Sequence, residues 1–212
     1  NRAPITLLLL ALLAVSAAVL LVFTLRYPHP APGSHFFPSQ EMHTGYKLLM
    51  VCSGLCLLVG SLVSLLRGYR QLQMWRANPT SMLLTLPIAV LLCGILCFPA
   101  GISTLMLCKN NSNRIEDPRN SLFVVFPPLV GVVFLFATHM EHATDPVLMR
   151  YGPELAAIIF LTFSLYDIAG MYHNNYHPKR LFFCSLFGEI LGLTALGSPA
   201  ASWFQTIILG SL

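Results

Sequence analysis

The sequence predicts an all-α, polytopic membrane protein: about six transmembrane helices plus a short C-terminal interfacial helix, in one domain over residues 1–212. Three observations lead there. Of 212 residues, 56% are hydrophobic and only 9% charged, against about a quarter charged in soluble domains. The apolar residues fall in blocks of about 20, the length that crosses a bilayer. The charges gather between the blocks.

The first block, 4–25, lies between Arg2 and Arg26. It is longer than the roughly 7 to 15 apolar residues of a cleaved signal sequence, so a retained helix is expected. Residues 27–45 carry Pro28, Pro30, Pro32 and Pro38 with scattered histidines, and read as a loop. The second span is 46–66, with Gly60 and Ser64 small enough to admit a neighbouring backbone. Arg67, Arg70 and Arg76 then mark a basic loop, with Tyr69 and Trp75 at the headgroup boundary.

The third span, 82–108, contains Pro87 and Pro99 and is expected to bend. The fourth, 121–138, is interrupted at Pro127 and Pro128, which implies a locally irregular backbone. The fifth, 153–173, opens on Pro153, and the turn HNNYHPKR leads into the sixth, 181–197. Ser198 and Pro199 look like the start of a short helix, 199–212, which lies in the interface with Trp203 as anchor or begins a seventh span.

Orientation is finely balanced. On the side of the amino terminus, side A, stand Arg2, Arg67, Arg70, Arg76 and Arg150, and on side B seven Lys and Arg. The positive-inside rule therefore favours side B as cytoplasmic. The anchor-like first span and the weakly charged, Pro-rich loop after it favour side A, which is the expectation adopted. The plasma membrane is the expected location. The net charge of +4 resides in loops, where it bears on lipid headgroups and orientation, and no nucleic-acid partner is expected.

Asp167 and Glu189 are the acids expected well inside hydrophobic runs. A carboxyl group there is costly and needs a partner, a proton or a water-filled cavity. Their depths are expected to differ by only about 5 Å, so the two could meet. On the fifth span Ser164 shares a face with Asp167, and on the sixth Ser185 shares one with Glu189. Ser164, Tyr166 and Ser185 complete the expected ligand- or proton-binding set, and no basic residue is expected at that depth. The alternative is that these groups only fix helix packing. Gly188 and Gly192 form a GxxxG.

His173 and His177 have the i, i+4 spacing that could hold a transition metal, with His43 nearby on side B, if the helix persists that far. His139, Glu141 and His142 form a second cluster, read as solvated loop. Cys52/Cys56 and Cys93/Cys97 repeat the i, i+4 spacing but read as small apolar residues. Asn110-Asn111-Ser112 fits a glycosylation acceptor.

Two functional classes remain open. One is transport of a proton, cation or small solute through the carboxylate site. The other is a sensor, accessory or assembly subunit that binds the lipid bilayer and a partner membrane subunit, or a second copy of itself. In its size, its six spans and the AxxxA spacing of Ala14 and Ala18 in the first span, the chain resembles the substrate-binding subunit of energy-coupling factor transporters. That resemblance implies a multispan partner and ATPases. No GxSxG or HExxH is present, so an enzyme is the weakest expectation.

Overall fold

The computed structural model describes residues 3–26, 44–79, 83–110, 122–141, 148–172 and 177–196. They form six helices and no strand: α1 Ala3–Arg26, α2 Thr44–Ala77, α3 Thr85–Asn110, α4 Phe126–Glu141, α5 Leu148–Tyr172 and α6 Pro178–Leu196. Among the described residues three stretches are long and apolar enough to cross a membrane, Lys47–Ala77, Thr85–Cys108 and Tyr151–Gly170. The apolar part of α1, Ala14–Arg26, and α4 are shorter. In α6 the charges of Lys179, Arg180 and Glu189 interrupt the run. The expected C-terminal helix, 199–212, lies outside the described residues.

Several helix boundaries differ from expectation for local reasons. α2 continues eleven residues beyond Leu66, so Arg67, Arg70 and Arg76 stand on helix and not on a loop. Nothing from Arg67 to Ala77 breaks a helix, and only Asn78, held by the Met74 carbonyl, and Pro79 end it. α4 starts at Phe126, so Pro127 and Pro128 fall in its first turn, where no intrahelical donor is lost. Residues 122–123 are already helical and 124–125 form a turn before α4, so the backbone is interrupted just ahead of the two prolines, as expected. Pro87 likewise falls in the first turn of α3, whereas Pro99 lies inside a helix that runs on past it. α5 begins five residues before Pro153.

The helices pack in the order α2, α3, α4, α5, α6, α1. One apolar core runs from Leu57 on α2 through Cys93 and Cys97, Phe134 and Ile158 to Leu191 on α6. The α2–α3 pair is the most extensive and has a legible register. Gly54, Ser61 and Gly68 on α2 repeat every seven residues, as do Gly94 and Gly101 on α3. The Ser61 hydroxyl donates to the Gly94 carbonyl across the pair at 2.7 Å. A Cβ on Gly101 would stand 2.9 Å from the Gly54 carbonyl oxygen, and one on Gly94 3.1 Å from the Leu65 backbone nitrogen. Small residues at heptad spacing bring the two backbones together, as in other membrane helix pairs. Gly60 and Ser64 are buried beside this seam, and Ser64 returns its hydroxyl to the Gly60 carbonyl of its own helix.

At the far end α1 packs on α6 through Ser16, Ala17, Leu20 and Thr24, the more covered side of its described part. Lys179 donates to the Leu25 carbonyl at 3.1 Å, satisfying one of the acceptors left over at the end of α1. Ala14 and Ala18 face away and are exposed.

Candidate functional site

The α5–α6 hairpin carries the acids. Its interface is set by aromatic packing: Phe160 on α5 meets Phe187 edge-on at 4.9 Å and Phe183 at 6.1 Å, and those two rings stack on each other. Below them Gly188 faces Leu161, where an added Cβ would lie 3.2 Å from the Leu161 backbone nitrogen. This packing turns Cys184, Gly188 and Leu191 inward.

Ser185 and Glu189 each follow a buried residue by one, and one residue is a rotation of about 100°. Ser185 is half-buried and donates to the Phe182 carbonyl of its own helix at 3.2 Å. Glu189 is exposed on the outer side of α6. With Gly188 opposite Leu161, Glu189 stands level with Phe160, about 10 Å along the axis from Asp167. The expected meeting of the two carboxyls does not form.

Asp167 has a different partner. It is 1% exposed, and Arg180 closes on it from the first turn of α6. Arg180 Nε donates to Oδ1 at 3.0 Å and to Oδ2 at 2.8 Å, and Nη2 donates to Oδ1. A planar guanidinium holding both oxygens is the strongest form of this contact. The expectation that no basic residue lies at this depth is therefore overturned. Arg180 was read as part of a turn, but α6 starts at Pro178 and the hairpin register brings Arg180 nearly level with Asp167.

Other residues of the expected set divide. Ser164 is buried on the same face of α5 as Asp167 and Leu161, as their spacing requires. Tyr166 points outward and is exposed. His177 is exposed ahead of α6, and its carbonyl accepts the Leu181 amide at 3.0 Å. α5 is described to Tyr172, and His177 immediately precedes α6. His173 and His43 lie outside the described residues. Among the described residues no three His, Cys, Asp or Glu side chains cluster as a metal site would need.

Cys93 and Cys97 lie in the core with sulfurs 4.0 Å apart, while Cys52 and Cys56 face outward from α2. Glu141, assigned to a solvated loop, ends α4 and pairs with Arg67 of α2, each side chain 26% exposed. The alternation that would have revealed the orientation of α6 is FxxxF with Cys184 and Gly188, a broader apolar face than Ser185 and Glu189 define.

No family model matches the chain, and no curated protein or solved structure matches it significantly.

Proposed function

We propose that the chain is an accessory or assembly subunit of a membrane complex, with all six helices crossing the bilayer, side A cytoplasmic and the plasma membrane as its location. The observation that carries this reading is the exposed carboxyl of Glu189 in the middle of α6. An acid at the centre of a lipid-facing helix costs about 3 kcal/mol on insertion scales, so it favours an environment that supplies a donor. A polar group on a partner helix, or on a second copy, supplies one. Ala14 and Ala18, exposed on α1, leave an AxxxA line open to a neighbouring helix as well. A partner of the energy-coupling factor kind is one version of this proposal.

The test is co-purification from the native membrane in mild detergent. Glu189→Leu is expected to release the partner, or to shift a self-assembled species to monomer, while Tyr166→Phe retains it. Full retention by Glu189→Leu would remove the basis of the reading.

A transport role is favoured by one other observation. Asp167 is 1% exposed but its partner Arg180 is 46% exposed, so the pair bridges the interior and side B. An ion pair so placed suits a gate that opens when a proton or cation competes for Asp167. On that reading Asp167→Asn abolishes flux into liposomes and leaves the protein folded, whereas unchanged flux excludes it.

A further inference from the structure

On α2 the face turned away from α3 carries Val63, Leu66, Arg67, Arg70, Gln71 and Met74, which line a cavity of about 490 Å³ among the described residues. These positions recur at i, i+3, i+4 and i+7, so one side of the helix builds the cavity wall. The level of the cavity follows from the α2–α3 register. With Ser61 bonded to Gly94, Arg70 is level with Thr85, the first residue of α3. Arg67 in turn meets Glu141, the last residue of α4. The cavity therefore sits where two neighbouring helices end, at the side-A boundary of the bundle.

Its chemistry is graded along the axis. Val63 and Leu66 lie toward the middle of the long apolar run, and Arg67, Arg70 and Gln71 lie toward its end. Glu141 offsets the charge of Arg67. Arg70 is exposed and has no carboxylate within ion-pair reach among the described residues, which leaves the wall one positive charge in excess.

The side-chain oxygen of Gln71 is buried with no hydrogen-bond partner. Left so, a buried polar atom is costly. Turning this side chain toward the cavity would let an occupant donate to the oxygen, or present its NH2 to an acceptor.

We infer that this cavity holds the headgroup of an anionic membrane lipid. The phosphate sits on Arg70, a headgroup hydroxyl or phosphate oxygen meets the Gln71 amide, and an acyl chain lies along Val63 and Leu66. Only an amphiphile matches a wall that is basic at one end and apolar at the other. The bilayer also delivers it at this depth, whereas a soluble phosphate leaves Val63 and Leu66 uncovered.

The experiment is native mass spectrometry of the full chain released from nanodiscs containing equal phosphatidylglycerol and phosphatidylcholine. The wild type is expected to retain phosphatidylglycerol about fivefold over phosphatidylcholine, as one basic residue at a membrane surface implies. Arg70→Gln should abolish the preference and Gln71→Leu should reduce it. Arg76→Gln, exposed on the same helix but outside the cavity, should keep it.

Equal loss in Arg76→Gln and Arg70→Gln would mean diffuse attraction and overturn the site, as would an absence of preference in the wild type. Displacement of the lipid by millimolar glycerol phosphate would reassign the cavity to a soluble anion. Gln71→Leu removes no charge, so retention of the full preference by this variant, once its melting curve shows it folded, also counts against the site.

Discussion

Arg180 reaches back over the α5–α6 turn to grip both oxygens of Asp167, thirteen residues earlier in the chain. The two ends of the pair differ in their access to water, and the difference gives removal of each a different cost. Arg180→Ala leaves a carboxylate buried without its partner and should cost about 2 to 4 kcal/mol. Asp167→Asn leaves a cation that can turn into water and should cost about half as much or less. Unfolding in detergent for both single variants and the double variant measures the coupling, and a value near zero would contradict the geometry.

Gly188 and Gly192 belong to one GxxxG but differ in what surrounds them. A methyl group at Gly188 meets Leu161 side-chain carbons at 3.1 Å, while at Gly192 nothing lies within 4 Å. Gly188→Ala should therefore cost about 1 to 2 kcal/mol. Gly192→Ala should stabilise by up to about 1 kcal/mol, since alanine loses less backbone entropy in a helix. Thermal melts that rank the two the other way would refute the assigned α5–α6 interface.

The α2–α3 seam predicts a second contrast. Gly101→Ala sets a methyl group against the carbonyl oxygen of Gly54, a backbone atom that cannot turn aside. A cost of about 2 to 3 kcal/mol is expected. Ser61→Ala removes one interhelical hydrogen bond and should cost only about 0.6 to 1 kcal/mol. Steric trapping or denaturant unfolding in bicelles can resolve the two.

Glu189 gives a prediction independent of any partner. As an exposed group it holds nothing together in the isolated chain, so Glu189→Leu should melt within about 0.5 kcal/mol of the wild type. A large loss would mean that the carboxyl is bonded inside the protein.

Composition and block length determined that the described residues are helical, without strands, and suited to a membrane, because a backbone in hydrocarbon must satisfy its polar groups within each helix. Helix cores were legible too: the apolar run of α1 carries no proline beyond its first turn, α5 none beyond Pro153, and α3 runs on through Pro99. The burial of Asp167 with Ser164 followed from their spacing on one helix. Helix ends were less legible at Pro127 and Pro153, because a proline is tolerated in a first turn and its sequence does not say which turn it occupies.

Tertiary structure alone decided which acid is buried and what it meets. Rotation of α6 by a single residue separates Gly188 from Glu189, and that rotation is set by Phe160, Phe183, Phe187 and Leu161 acting together. Pairing of Arg180 with Asp167 depends on the axial register of two helices. Register and rotation are properties of packed surfaces, so residues far apart in the chain fix them jointly, and no local pattern contains them.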